Sequence, residues 1–189
     1  MFPYKGANVD IKADLLPALS PTDTLYIAAY SLFAEGSRSE TLKALSFART
    51  ASATTAIDAA SSALIRKCGI SEFLSWINGC DILFLNRDET EVITESTDLH
   101  FAATQLAQYA NYVVVKDGAQ GSFVLHEGRV HHQPALPANV IDTTGAGDAY
   151  AGGFLAQWSL TPDLDACLRT GAEVASRAIS QVGARPPRS

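Results

Sequence analysis

Short apolar segments alternate with longer amphipathic segments along residues 25–116. Each short segment is an almost unbroken run of apolar residues, which is typical of strands that are buried on both faces of a parallel sheet. The longer segments place apolar residues at helical spacing, and an alternation of strands and helices is typical of α/β proteins. We therefore predict strands at 25–29, 53–57, 82–85 and 112–116.

The pattern changes after residue 116. Two strand-like segments, 122–125 and 129–132, flank a Glu-Gly turn, which predicts a β-hairpin. Two helical segments follow, and glycine and proline end the last one. The predicted fold is a mostly parallel sheet flanked by helices, with a hairpin toward the C-terminus, in a single domain over residues 1–189. Helices are predicted at 37–49, around 73–77, and at 89–94, 99–109, 146–158 and 163–181.

The composition excludes several classes of function. The 189 residues carry a net charge of −6 and no cluster of Lys or Arg, so the chain lacks the basic surface with which proteins bind nucleic acids or anionic membranes. Three widely spaced cysteines form no Cys-x-x-Cys pair, which argues against a zinc site or a disulfide framework. Any recognition of phosphate must therefore come from local backbone geometry and not from an extended basic surface.

The N-terminal residues do not have the pattern of a targeting segment. Residues 1–6 lack a basic region followed by an apolar run, and the longest apolar stretch, around 26–34, is too short to cross a bilayer. We therefore expect a cytoplasmic protein.

The most informative segment is Asp-Thr-Thr-Gly-Ala-Gly-Asp at 142–148, which leads directly into a predicted helix. A glycine-rich turn at the start of a helix exposes unpaired backbone N–H groups and the positive end of the helix dipole, and both favour a bound phosphate. Asp148 lies in the first helical turn, where its carboxylate could accept a proton from an attacking alcohol. The segment predicts phosphoryl transfer, because preorganised amides stabilise the charge that this reaction concentrates on oxygen.

The same glycines admit three other interpretations, of which two conflict with neighbouring residues. A P-loop requires Gly-Lys-Ser/Thr, whereas this segment continues Gly-Asp-Ala. A dinucleotide-binding fingerprint requires a third glycine where Tyr150 stands, which disfavours a nicotinamide-dependent oxidoreductase. A purely structural helix start, with Asp148 interacting only with the helix dipole, is the remaining alternative.

The segment 142–148, followed by Gly-Gly-Phe at 152–154, resembles the C-terminal signature of the ribokinase (phosphofructokinase-B type) carbohydrate kinases. The resemblance implies that Asp148 is the catalytic base and that an anion hole receives the transferring phosphate. It also implies that Asp142 helps to hold a monovalent cation such as K⁺. The anion hole would consist of Gly145, Ala146 and Gly147.

Two further segments agree with this resemblance. Asn86 and Glu89, directly after a predicted strand, are similar to the family's Asn-x-x-Glu motif, which implies a role near Mg²⁺ and the phosphates; the same spacing is also a helix capping box. The segment Lys-Asp-Gly-Ala-Gln-Gly at 116–121 is similar to the family's nucleotide loop, although it could equally lead only into a hairpin. The ATP-binding residues implied by the resemblance are Lys116, Gly118, Gly121 and Thr143.

The chain also departs from the family pattern. Asp58 is followed by Ala-Ala where many members have Pro-Asn, so we expect no catalytic role for it. Residues 178–183 resemble a segment whose carbonyls complete the cation site, but Pro187 stands where some members have serine. Residues 2–8 resemble a stretch just after the substrate-covering lid, so roughly the N-terminal third of the family pattern is absent.

The sequence thus predicts a kinase that transfers the γ-phosphoryl group of ATP to a hydroxyl of a sugar or sugar-like molecule, with Mg²⁺ bound to the phosphates. Because the lid and most sugar contacts are absent, we expect this chain to be inactive in isolation, with an exposed strand edge. That edge suggests a homo-oligomer or a complementing N-terminal fragment as partner. The alternative function is a non-catalytic remnant of the fold that binds a nucleotide or a protein partner.

Overall fold

A six-stranded sheet forms the centre of the computed structural model, which describes residues 12–183. The strands follow one another across the sheet in the order of the sequence. The first four are parallel, and the last two are antiparallel to their neighbours. The strands are β1 (Thr24–Ala28), β2 (Thr54–Asp58), β3 (Cys80–Asn86), β4 (Ala110–Lys116), β5 (Ser122–His126) and β6 (Arg129–Gln133).

Helices connect the parallel strands and close the described chain. Six of them lie between β1 and β4 in sequence, and two follow β6. Short 3₁₀ turns cover Ala13–Leu15 and Gly118–Gln120. The helices are α1 (Tyr30–Phe33), α2 (Glu35–Thr50), α3 (Ser62–Cys68), α4 (Ile70–Ile77), α5 (Arg87–Thr94), α6 (Leu99–Leu106), α7 (Ala146–Leu160) and α8 (Leu164–Ala178).

The sheet separates two hydrophobic cores, because successive side chains of a strand point to opposite faces. One face, which includes Ile57 and Leu83, packs against α1–α6. The other face, which includes Phe84, packs against α7 and α8. There the rings of Phe84 and Phe154 meet edge to face with centroids 5.3 Å apart, and both side chains are fully buried. Such burial stabilises the fold by about 1.5–3 kcal/mol for each ring and fixes α7 against the sheet.

The predicted elements are confirmed, with shifts at their ends. The helix predicted around 73–77 is accompanied by a second helix, because Gly69 takes a φ of +97° and separates α3 from α4. The last helix ends at Ala178 and not near residue 181. Within residues 12–183, no helix is both long and apolar enough to span a membrane. The segment 2–8 and Pro187 lie outside the described residues.

Strand β1 lies at one edge of the sheet and β6 at the other. Within the described part of the chain no strand pairs with the outer side of β1. Four of its five residues are partly exposed, whereas four of five are buried in β2. The sequence predicts an exposed strand edge, and the structure shows that β1 has an unpaired outer side within the described residues.

Candidate active site

The carboxyl ends of the parallel strands meet the start of α7. These strand ends form the carboxyl edge of the sheet, which is distinct from the lateral edges at β1 and β6. Three of these strands end in polar residues, namely Asp58 in β2, Asn86 in β3 and Lys116 in β4. The start of α7 reaches the same place, because a Cβ atom added to Gly147 would lie 3.3 Å from the Nζ atom of Lys116. Ligands of open α/β sheets bind at this edge, so this is the candidate active site.

The turn before α7 presents free backbone donors. Gly145, the residue before the helix, has a φ of +80°, in the left-handed region that glycine adopts without strain. The Ala146 amide donates to the Thr143 carbonyl over 3.1 Å. Among the described residues, no acceptor pairs with the amides of Gly147 and Asp148. These donors lie at the positive end of a 15-residue helix, which is a suitable environment for a phosphate.

Asp148 lies in the first turn of α7, with its side chain exposed at this edge. Its negative charge affects the pKa of two phenols, Tyr26 in β1 and Tyr30 in α1. Burial is the main cause that raises the pKa of both phenols, and the charge of Asp148 raises both further. The Tyr30 hydroxyl donates to the Ala60 carbonyl over 3.0 Å.

The Tyr26 hydroxyl is buried and has no hydrogen-bond partner among residues 12–183. Asp148 is close enough to influence its pKa as a charge and as an acceptor, yet the two groups do not meet the geometry of a hydrogen bond. A buried hydroxyl without a partner lowers the stability of the fold by about 1–3 kcal/mol. A ligand or a water molecule beside Asp148 that accepts a hydrogen bond from Tyr26 would remove this cost.

An ion pair joins the ends of two strands that are not neighbours. The Nζ atom of Lys116 lies 2.5 Å from Oδ2 of Asp58, across β3, and 6.0 Å from the ring centroid of Phe84. The two side chains are 14% and 8% exposed. No catalytic role is predicted for Asp58 from the sequence, but its contact with Lys116 brings it into the candidate site.

Asn86 and Glu89 form the capping box of α5. The Glu89 amide donates to Oδ1 of Asn86 over 2.9 Å, and the Asn86 amide donates to Oε2 of Glu89 over 2.8 Å. The capping interpretation is confirmed, whereas the magnesium role stays a prediction. Glu89 is only 2% exposed, and burial raises its pKa to about 7. The nearby charge of Asp58 raises it further, while the Asn86 amide and the charge of Lys116 oppose the shift.

The difference in the free energy of unfolding between Glu89→Gln and the wild type is expected to shift in favour of the variant between pH 5 and pH 8. Because the pKa of Glu89 rises from 4.5 to about 7 on folding, the folded state binds more protons than the unfolded state between these values. The free energy of unfolding of the wild type therefore falls as the pH rises through this window, and Glu89→Gln removes the fall. The difference between the variant and the wild type should grow by roughly 3 kcal/mol from pH 5 to pH 8, measured by urea denaturation.

Glu91→Gln is the matched control for this prediction. Glu91 lies in the same helix but its side chain is 33% exposed, so no comparable growth is expected. A Glu89→Gln difference that stays constant between the two pH values would show that Glu89 is already ionised in the folded protein.

The predicted nucleotide loop is a 3₁₀ turn between β4 and β5, at Gly118–Gln120. Its ends are closed by the Asp117 amide, which donates to the Gly121 carbonyl over 2.8 Å. Arg87 donates two hydrogen bonds to the Asp117 carboxylate, of 2.8 and 2.7 Å. The loop therefore connects a hairpin, as one of the two interpretations predicted; its role in nucleotide binding stays a prediction.

Asp142 ties the turn before α7 to the end of the described chain. Its Oδ1 atom accepts a hydrogen bond from the Thr144 amide (2.9 Å) and its Oδ2 atom accepts one from the Gly183 amide (3.0 Å). These hydrogen bonds lower the pKa of Asp142, with that of Thr144 the largest cause. Thr143 is exposed in the same turn. The structure thus brings Asp142 into contact with Ile179 and Gly183, within the segment 178–183. The cation-binding role that the resemblance implies for Asp142 stays a prediction.

The magnesium ion that the resemblance implies would find few protein ligands at this site. Within residues 12–183, no three His, Cys, Asp or Glu side chains are arranged to hold a metal. Mg²⁺ commonly takes only one or two protein carboxylates and completes its shell with water and substrate phosphates. Asn86 and Glu89, beside the proposed phosphate site, could supply that smaller contribution.

Known proteins are similar to this chain in sequence and in fold. The sequence matches the pfkB family carbohydrate kinase pattern over residues 1–189. A cytidine kinase from Thermococcus kodakarensis is 37% identical over 111 residues, covering 57% of this chain and 40% of that protein. A fructokinase from Escherichia coli is 27% identical over 165 residues, covering 82% of this chain and 52% of that protein.

Solved structures agree. An adenosine kinase from Sinorhizobium meliloti superimposes with a TM-score of 0.85 at 28% identity, covering 94% of this chain and 56% of that one. A fructokinase from Vibrio cholerae, solved with fructose, ADP and a calcium ion, has the same fold with a TM-score of 0.84 at 21% identity, covering 92% and 60%.

These observations define a ribokinase-like α/β protein with a mostly parallel sheet flanked by helices, as predicted. The chain belongs to the pfkB family of carbohydrate kinases. It spans about half the length of the curated relatives that it matches, 40% in one case and 52% in another.

Two residues of the site were missed in the sequence. Asp58 ends an apolar strand just as Asn86 and Lys116 do, so its position at a strand terminus was a usable signal. Tyr26 gave no comparable signal, because it lies within a run of apolar residues and only the fold brings it near Asp148.

Proposed function

We propose that this chain is the nucleotide-binding and catalytic portion of a kinase that transfers the γ-phosphoryl group of ATP to a hydroxyl of a sugar or sugar-like molecule. One observation carries the proposal: unpaired amides at Gly147 and Asp148 lie beside the Lys116 ammonium and the Asp148 carboxylate. Membership in the pfkB family supports the reaction class.

The chemistry requires little from the protein beyond positioning and charge. Asp148 accepts the proton of the attacking hydroxyl as its oxygen forms a bond to the γ-phosphorus, and the bond from that phosphorus to the bridging oxygen breaks to release ADP. The amides of the turn formed by Gly145, Ala146 and Gly147 stabilise the charge on the transferring group. Mg²⁺, when bound, would neutralise part of the phosphate charge.

The remaining assignments follow from the same proposal. The nucleotide would be contacted by Lys116, Gly118, Gly121 and Thr143, as the resemblance implies. The Lys116 ammonium reaches Gly147 at the start of α7, and Thr143 lies in the turn before that helix. Asp142, together with residues 178–183, would hold a monovalent cation such as K⁺. The proposal also includes a single domain and a cytoplasmic location. It further includes association through β1 with a second copy of the chain or with an N-terminal fragment.

Thermal unfolding with and without Mg-ATP tests the proposal. A ligand that binds only the folded state at 100 times its Kd stabilises that state by about 2.7 kcal/mol, so the Tm should rise by roughly 5–10 °C. Adenosine at the same concentration is the control for nucleoside binding without phosphates. Absence of any Mg-ATP shift up to millimolar concentration would contradict the proposal.

The purified chain is expected to turn over no sugar or nucleoside at a measurable rate. Substrate-covering elements exclude water and complete catalytic sites in enzymes of this kind, and no part of the described chain covers the exposed Asp148. A coupled ADP-release assay with a panel of sugars and nucleosides measures this. Measurable phosphorylation of any of them would overturn the expectation of inactivity.

The alternative is a non-catalytic remnant of the fold that binds a nucleotide or a protein, since no part of the described chain covers the exposed Asp148. A Tm shift with Mg-ATP, together with no turnover even after an N-terminal fragment of a relative is added, would support that alternative. Restored turnover with the added fragment would support the kinase.

A further inference from the structure

The Asp58–Lys116 ion pair holds a flexible cation at a fixed place in the site. Lysine has about 2 kcal/mol of side-chain rotamer entropy, so an ammonium group stays in one position only when a partner holds it. Here the partner is the Asp58 carboxylate, 2.5 Å away and 8% exposed, and the ammonium lies 6.0 Å from the ring centroid of Phe84 in β3. The ammonium is therefore preorganised.

The fixed ammonium faces the start of α7. Its distance of 3.3 Å to a Cβ position on Gly147 places it beside the free amides of Gly147 and Asp148. An ammonium has three N–H donors, and Asp58 accepts one. The others remain for an anion seated on the turn, which would then have the amides on one side and the ammonium on the other.

We infer that Lys116 binds the terminal phosphate of the nucleotide and that Asp58 is the positioning residue that keeps its ammonium at the turn. This inference rests on the proposed function. Lysine binds phosphate as a point charge, so its contribution depends on distance and not on a two-pronged geometry. ADP lacks the terminal phosphate, so only the binding of a nucleoside triphosphate should depend on this contact.

The experiment compares the binding of Mg-AMP-PNP and Mg-ADP to the full 189-residue chain by calorimetry. Lys116→Met is made together with Asp58→Asn, because methionine alone would leave a buried, unpaired carboxylate. The double variant should bind Mg-AMP-PNP roughly 10- to 100-fold more weakly, with Mg-ADP affinity changed by less than about 3-fold. Unchanged preference for the triphosphate would overturn the role of Lys116.

Two single variants separate positioning by Asp58 from its charge. Asp58→Asn keeps an acceptor oxygen for the ammonium and should retain the triphosphate preference within about 3-fold, whereas Asp58→Ala should lose most of it. If Asp58 only repelled phosphate, both variants would instead bind Mg-AMP-PNP more tightly, which would overturn the positioning role. Should the alanine variant fail to fold, Asp58→Val, which also lacks an acceptor but suits a strand, replaces it. Retention of the triphosphate preference in that variant would overturn the positioning role, and its loss would support the role.

Lys43→Met is the matched control. Lys43 also forms an ion pair, with Glu40 at 2.6 Å, but it belongs to α2 and its side chain is 60% exposed. Its replacement should change the preference by less than about 2-fold. Binding of neither nucleotide to the wild-type chain would overturn the proposed function itself, whereas binding of both with an unaltered preference in the double variant would overturn only this inference.

Discussion

Asp148→Asn lowers kcat by a factor of about 10²–10⁴ in any form of this protein that phosphorylates an alcohol. Asparagine keeps the size of the side chain and its position in the first turn of α7, but it cannot accept the proton of the attacking hydroxyl. The affinity for Mg-ATP should stay nearly unchanged, because the backbone amides of the turn are retained. Steady-state kinetics, together with nucleotide binding by calorimetry, measures both effects.

Asp165→Asn is the matched control for that prediction. Asp165 occupies the first turn of α8, the neighbouring helix, and contacts His131 at the surface. Its replacement should leave kcat within about 2-fold of the wild type, since exposed pairs contribute little. A kcat in Asp148→Asn close to that of this control would contradict the assignment of Asp148 as the base.

Gly121→Ala is expected to lower the free energy of unfolding by about 3–5 kcal/mol. A Cβ atom at position 121 would lie 2.1 Å from the Gln133 carbonyl oxygen and 2.8 Å from the Ala135 amide nitrogen. Both are backbone atoms, so relief of the clash requires β6 or the segment after it to move. The φ of +97° at Gly121 adds strain for any residue with a side chain.

Gly118→Ala is the control in the same loop. Gly118 also has a positive φ, of +55°, but nothing lies within 4 Å of an added Cβ atom. The cost should therefore be only the left-handed backbone term of about 1–2 kcal/mol. Urea denaturation of both variants measures the difference, and equal losses would show that the hairpin tolerates a side chain at position 121.

The fold could be predicted because its strands carry strong local signals. Residues 112–116 are β-branched and apolar up to Lys116, and the core on both sides of the sheet requires that pattern. The break between α3 and α4 was missed, since Gly69 in a left-handed conformation cannot be distinguished by sequence from a glycine within a helix.

The site could be predicted where its parts are contiguous. Residues 142–148 contain the turn, its glycines and Asp148 in one segment, so local geometry was enough. The Asp58–Lys116 pair joins residues that are 58 positions apart, and the local sequence around either residue does not predict contact with the other. Tyr26 reaches the site only through the packing of β1 beside β2.

Amide resonances provide the most direct test of phosphate binding at the start of α7. Nitrogen-15 NMR spectra of the chain, recorded with Mg-AMP-PNP and with Mg-ADP, report on each backbone N–H group. We predict that the signals of Gly147 and Asp148 move on addition of the triphosphate analogue and much less with the diphosphate. Binding of the analogue elsewhere, with these two signals unmoved, would contradict the assignment of this turn as the phosphate site.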